Sequence, residues 1–126
     1  MSLTASLQAA LQFHQTGQWA QAEAIYHDLL HRQAHCADAW HLLGDIALRR
    51  RDIKRAVVLV MRAIGANPKV GAYYVTLGRA YQAMGELEQA VACLERAVDL
   101  KQTELETVAP HAAHAAVPKL TRIAWR

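Results

Sequence analysis

Residues 74–98 read YVTLGRAYQAMGELEQAVACLERAV, and a related stretch, WHLLGDIALRRRDIKRAVVLVMRAI, occupies residues 40–64. The two stretches begin 34 residues apart, and the same step separates further matched positions. These positions include Leu43 and Leu77, Gly44 and Gly78, and the series Ala22, Ala56 and Ala90. A fixed period of this length predicts that the chain is built from repeated units.

Small residues recur at the same place in each unit. Gly44 and Gly78 stand inside apolar-periodic stretches, where a helical glycine costs about 1 kcal/mol relative to alanine. Two such glycines at matched positions therefore require a packing reason, and the close approach of two helices supplies one. Leu43 and Leu77 fill the space beside them. The pattern predicts closely packed helix pairs.

The pattern resembles the tetratricopeptide repeat, whose unit is a helix, a turn and a helix. Residues 71–104 carry it most completely, with Tyr74, Leu77, Gly78, Tyr81, Gly85, Leu87, Ala90, Leu94 and Ala97. The resemblance implies an all-α fold, a right-handed α-solenoid in a single domain over residues 3–104. Its three units would span residues 3–36, 37–70 and 71–104, with the first as the least typical.

The apolar periodicity and the turn residues predict six helices. They are expected near residues 3–15, 19–33, 37–50, 53–66, 71–84 and 87–100. Gly17 and Gly85 stand between the two helices of their units, where a left-handed residue is favoured. Arg51 occupies the same place in the second unit, so we expect modest backbone strain there.

Residues 105–126 break the repeat register and are expected to form a C-terminal cap or docking tail. Thr103 and Glu106 have the spacing of a capping box, which predicts the start of a separate short helix. Pro110 would limit that helix. Trp125 near a chain end indicates that the segment docks on its own solenoid, on a second copy, or on the rest of a longer protein.

Composition limits the class of protein. The chain has 126 residues, of which 53% are hydrophobic and 20% charged, as in an ordinary soluble domain. No apolar run is long enough to span a membrane, and the start lacks a basic segment followed by an apolar one. We therefore expect a cytoplasmic protein without membrane contact.

The cysteines and the net charge add two expectations. Cys36 and Cys93 are expected to be reduced thiols, and the net charge of +3 permits an acidic partner without requiring one.

In the tetratricopeptide repeat family, the first helix of each unit lines a concave groove that binds a peptide or protein segment. The resemblance implies a partner-binding groove lined by Leu7, Leu11, His14, His41, Leu42, Asp45, Leu48, Arg49, Val75, Thr76, Arg79 and Gln82. One subclass binds the C-terminal carboxylate of chaperones through lysine, arginine and asparagine side chains. The matching positions here are Leu7, Leu11, Leu42, Ala72 and Thr76, which excludes that subclass.

Two further clusters contain charged or metal-ligating side chains. The basic run at residues 49–55 is interpreted as a solvated turn and not as a nucleic-acid site, because no aromatic residues interleave with its charges. His27, His31 and His35 follow one another at intervals of four residues, with Cys36 beside the last. Such spacing permits a shared metal, but histidines at these positions usually face solvent, so no metal or other cofactor is predicted.

The sequence predicts no enzymatic activity. It contains no phosphate-binding glycine loop or nucleophile elbow, and the pair His41 and Asp45 at i, i+4 is commonplace on helices.

The leading hypothesis is a non-catalytic protein–protein interaction module that binds its ligand in the groove. One alternative is the N-terminal region or docking subunit of a larger glycosyl- or sulfotransferase. Another is a homo-oligomeric scaffold assembled through residues 105–126.

Overall fold

The computed structural model describes residues 2–33 and 36–108, with side chains described as far as Leu105. Six α-helices make up this part of the chain, and no strand occurs in it. Their bounds are α1 Leu3–Gln15, α2 Trp19–Arg32, α3 Ala37–Arg49, α4 Ile53–Ala66, α5 Gly71–Ala83 and α6 Leu87–Val108. The predicted all-α fold is confirmed, and the predicted bounds agree closely for the first five helices.

Each unit is an antiparallel helix pair closed by the same turn. Two positions after the end of each first helix stands a residue with positive φ, namely Gly17 (80°), Arg51 (68°) and Gly85 (79°). In each turn the next amide donates back to a carbonyl five residues earlier, over 2.8 Å from Gln18 to Phe13 in the first unit. This is the Schellman arrangement, which satisfies the last carbonyls of a helix. The left-handed conformation of Arg51 confirms the expected strain.

Small residues allow the two helices of a unit to approach each other. Ala22 and Ala56 are completely buried, and Ala90 is 5% exposed. A Cβ atom added at Gly44 would lie 2.5 Å from Val60 Cγ2 and 3.3 Å from the Ala56 carbonyl oxygen. The glycine is therefore needed where α3 crosses α4, as the sequence pattern predicted.

The core continues from one unit to the next. Tyr26, Leu29, Leu43 and Ile46 belong to one buried cluster, which joins the first two units. A second cluster joins α4 to α5 through Val60, Ala63, Tyr73 and Leu77. Each second helix packs against the first helix of the following unit, and α3 also packs against α5.

The last helix differs from its prediction. A stop near residue 100 and a new helix starting at Thr103 were expected, but α6 is one continuous helix of 22 residues. The Thr103 hydroxyl donates to the Asp99 carbonyl over 3.0 Å, so it bonds within the helix and does not cap a new one. The capping-box prediction was wrong. The expectations for Pro110 and Trp125 lie outside the described residues.

Candidate functional site

The twelve residues predicted to line a groove all belong to α1, α3 and α5, the first helices of the three units, whose side carrying these residues we call the first-helix face. Among them His14 and Thr76 are buried, Arg49, Arg79 and Gln82 are exposed, and the other seven are intermediate: Leu7, Leu11, His41, Leu42, Asp45, Leu48 and Val75. The face is thus a mixture of half-buried apolar side chains and a few polar groups.

A hydrogen-bonded chain crosses this face between the first and second units. His14 Nε2 lies 2.7 Å from Asp45 Oδ2, and His14 Nδ1 lies 3.0 Å from the Tyr26 hydroxyl. Arg49 Nε donates to the same Asp45 oxygen over 2.8 Å. His14 therefore joins α1, α2 and α3 through one side chain, and only 8% of that side chain is exposed.

The surroundings of these hydrogen-bonded side chains determine which atoms of the network carry protons. Burial raises the pKa of Tyr26, and the charge of Asp45 raises it further, so the hydroxyl stays protonated and donates. Burial alone would raise the pKa of Asp45, but hydrogen bonds from Arg49 and His14 outweigh it and the pKa lies below its ordinary value. Asp45 is thus an acceptor. With Nε2 donating to Asp45, a neutral His14 accepts at Nδ1 from Tyr26.

A second polar contact joins the second and third units. His41 Nε2 lies 2.8 Å from Thr76 Oγ1, and the Thr76 hydroxyl donates to the Ala72 carbonyl over 3.2 Å. Since that hydroxyl has a single hydrogen, His41 is the donor to Thr76. Burial lowers the pKa of His41, although the charges of Asp45 and Asp38 oppose the shift. The imidazole is consequently held in its neutral form near pH 7.

Asp38 and Tyr73 form a third bridge in the same junction. The Tyr73 hydroxyl donates to Asp38 Oδ1 over 2.5 Å, and the Tyr73 ring lies 4.8 Å from the ring of His41, centre to centre. Burial raises the pKa of Tyr73, and Asp38 adds to the effect. The roles of Tyr26 and Tyr73 were not predicted, because their hydroxyl partners lie on other helices and no local spacing announces them.

The two junctions use different positions of the repeat for their polar contacts. Moving the pair His14 and Asp45 forward by one period leads to Leu48 and Arg79. The first junction therefore has the hydrogen bond between His14 and Asp45 at repeat positions where the second has a leucine and an arginine. Arg79 is exposed, and it forms no ion pair with any residue that the structure describes. Arg79 is thus a cation without a carboxylate partner among the described residues. At the same repeat position, the preceding unit has the carboxylate of Asp45, which Arg49 neutralises.

The basic run at residues 49–55 is partly neutralised within the fold. Arg49 pairs with Asp45, and Arg50 Nη1 lies 2.8 Å from Glu23 Oε1 on α2. Arg51 forms the left-handed turn residue. The run thus includes the turn between α3 and α4, and two of its arginines have carboxylate partners within the fold.

The histidine series on α2 lies only partly within the described residues. His27 and His31 are exposed, and His35 lies outside that part of the chain. Among the residues described, no group of three or more histidine, cysteine, aspartate or glutamate side chains could hold a metal ion. Cys36 and Cys93 are both free thiols.

Comparison with known proteins identifies the class. Two family models, each described as Tetratricopeptide repeat, match residues 7–70 and 71–104. Together these matches cover most of the chain. The chain belongs to the tetratricopeptide repeat family. No match was found in the comparison with curated proteins.

Family membership carries a general function. Tetratricopeptide repeats mediate protein–protein interaction and are typically non-catalytic. Within the described residues, no helix combines the length and apolar character needed to cross a lipid bilayer.

Proposed function

We propose that the first-helix face binds an extended segment of a partner protein, and that this segment places an acidic group against Arg79. The observation that carries the proposal is the exposed Arg79 guanidinium, which has no carboxylate partner among the described residues. The chemistry is that of a peptide ligand bearing an aspartate, a glutamate or a terminal carboxylate.

The other charges of the face support this assignment, because they already have partners. Asp45 accepts from both His14 and Arg49, and Asp38 accepts from Tyr73. A basic ligand group would have to compete with these internal donors. An acidic group opposite Arg79 would instead gain a charge-assisted hydrogen bond and break none.

Half-buried apolar residues of the first-helix face would supply the remaining contacts. Leu48 and Val75 each retain part of their surface, as do Leu7, Leu11 and Leu42 towards the first unit. An extended segment that crosses α1, α3 and α5 would bury these side chains. In this proposal His14 and Thr76 act by holding neighbouring helices in register, while Arg79, Leu48 and Gln82 touch the ligand.

The test is selection of a displayed random-peptide library on the immobilised full chain. Peptides enriched by selection should contain an acidic residue next to apolar ones. Their Kd should rise at least about tenfold for Arg79→Ala, equivalent to about 1.4 kcal/mol. Arg55→Ala is the matched control, because Arg55 is an exposed arginine on α4, away from the first-helix face.

Two outcomes would refute the acidic-peptide assignment. Enriched peptides that bind Arg79→Ala as tightly as the wild type would show that the cation is not used. Amide shifts confined to α2 and α4 on addition of the peptide would show that another surface binds it.

The two alternatives predict different partners. A docking subunit or N-terminal region of a glycosyl- or sulfotransferase would bind a catalytic domain, and a scaffold would self-associate through residues 105–126. Light scattering over a concentration series separates the scaffold from the other two, because only the scaffold gains mass with concentration. We place the binding module first, since the uncompensated charge of Arg79 lies on the first-helix face.

A further inference from the structure

The last helix has an exposed apolar stripe along one side. Its members are Leu87 (62% exposed), Val91 (54%), Leu94 (42%), Val98 (63%) and Leu105 (52%). The intervals of four, three, four and seven residues place them on one face of α6. An apolar seam of this length is unusual on a surface that stays in contact with water.

The preceding unit shows what covers such a stripe. One period earlier, the first four positions are Ile53, Val57, Val60 and Ile64. Val60 is completely buried, and Val57 and Ile64 are half-buried against the cluster that includes Tyr73 and Leu77 of α5. The stripe on α6 therefore has the form of a surface that packs against another helix.

A further repeat helix in the usual register cannot cover it. The first helices of the second and third units begin at Ala37 and Gly71, and the next helix in this series would begin at Leu105. That residue lies within α6, which continues to Val108. Leu105 extends the stripe past Val98, the last of the four positions that were compared with the preceding unit. The occupant is therefore something other than a fourth unit in register.

Charge and apolar content indicate which segment of the chain is complementary to the stripe on α6. Helix α6 carries five acidic and two basic residues over Leu87–Val108. Glu88 and Glu95 directly follow Leu87 and Leu94, and both are exposed at the edge of the stripe. Residues 109–126 contain three basic residues, no acidic residue, and the apolar side chains Val117, Leu120, Ile123 and Trp125. The two parts of the chain are complementary in both apolar character and charge.

We infer that residues 109–126 of this chain fold back on α6 and cover the stripe, with Lys119 and Arg122 near its acidic edge. The apolar side chains of the segment bury Val91, Leu94 and Val98, as α5 buries their counterparts on α4. Antiparallel packing of α6 from a second copy fits less well, because it would bring two acidic helices together. The inference is independent of the proposed peptide site.

The test is a paramagnetic relaxation measurement on the full chain. Cys36→Ala and Cys93→Ala remove the two native thiols, and Thr121→Cys provides a single site for a nitroxide label. The amide signals of Val91–Val98 should lose most of their intensity, whereas those of α1 should not. An equimolar mixture of isotope-labelled chain with spin-labelled, isotope-free chain should show no such loss, because the contact is within one molecule.

A pair of variants controls for non-specific effects. Val91 and Val58 are both valines that are 54% exposed, but only Val91 lies in the stripe. Val91→Lys introduces a cation that repels the basic segment and should restore the α6 signals. Val58→Lys, on α4, should leave the loss unchanged. Their equal exposure means that neither change removes a buried side chain.

Three results would overturn the inference. Full intensity along α6 would show that the segment does not dock there. Intensity loss on the first-helix face in place of α6 would show that the segment occupies the groove. Loss of α6 signals in the equimolar mixture would show that the segment binds a second copy.

Discussion

His14 and Asp45 stand 31 positions apart in the sequence, and their side chains meet at 2.7 Å between Nε2 and Oδ2. The contact ties α1 to α3, and the Tyr26 hydroxyl on the other imidazole nitrogen adds α2. The junction between the first two units thus depends on a polar contact inside an otherwise apolar interface. Such contacts define a register, because a displaced partner leaves a buried polar group unsatisfied.

Removing the carboxylate of Asp45 should destabilise the fold. Asp45→Ala leaves His14 Nε2 without its acceptor, and we expect the free energy of unfolding to fall by about 1–3 kcal/mol. Arg49→Ala, which removes only the exposed partner of the same carboxylate, should cost no more than about 0.5 kcal/mol. Urea denaturation followed by circular dichroism measures both. Equal losses would contradict a structural role for the His14 contact.

Two glycine substitutions should have opposite signs. Gly44→Ala places a Cβ atom against Val60 Cγ2, and valine is too stiff at χ1 to move away easily, so we expect a loss of about 1–3 kcal/mol. Gly65→Ala, in the last turns of α4, meets nothing within 4 Å and should stabilise the chain by about 0.5–1 kcal/mol. Comparing the two variants separates the effect of close packing on stability from the effect of helix propensity. Stabilisation by Gly44→Ala would refute the close-approach argument.

Arg51→Gly should stabilise the second unit. Arg51 has a φ of 68°, which costs a residue with a Cβ about 1–2 kcal/mol. Part of this is offset by the greater freedom of glycine in the unfolded chain, so the expected net gain is about 0.5–1 kcal/mol. Gly85→Ala makes the opposite change at the equivalent turn of the third unit. Nothing lies within 4 Å of the added Cβ, so the positive φ alone should lower the stability of the fold. Thermal unfolding of both variants shows whether backbone strain dominates at this position.

His41 should make the fold sensitive to mild acid. Its pKa in the folded chain lies below the ordinary value of about 6.5, so the unfolded chain binds more protons as pH falls below that value. The free energy of unfolding then decreases with falling pH, by at most about 1.4 kcal/mol per pH unit from this group, until the folded-state pKa is reached. Below that pKa its contribution no longer changes.

The difference between variants isolates this contribution. His41→Gln keeps a donor for Thr76 and removes the titration, so its stability should decline less between pH 7 and pH 5 than that of the wild type. His27→Gln removes an exposed histidine of α2 and should retain the wild-type decline. Parallel curves for the wild type and His41→Gln would rule out this effect.

Much of the fold could be predicted because its signals are local. The bounds predicted for the fourth helix, 53–66, coincide with Ile53–Ala66, since Arg51-Asp52 and Asn67-Pro68 bracket an apolar-periodic stretch. The end of α6 was placed too early because threonine followed by glutamate three residues later also occurs inside helices. No glycine or proline follows until Pro110, and α6 continues to Val108, close to that residue.

The periodic pattern alone determined the three helix pairs and their turns, because repeat spacing and backbone preference are properties of short stretches. Only the tertiary structure decided which polar side chains pair. His41 and Asp45 share a face of α3, yet His41 turns to Thr76 of α5 while Asp45 accepts from His14 of α1. A hydrogen bond depends on the distance between two atoms on different helices, and that distance is set when the repeats pack.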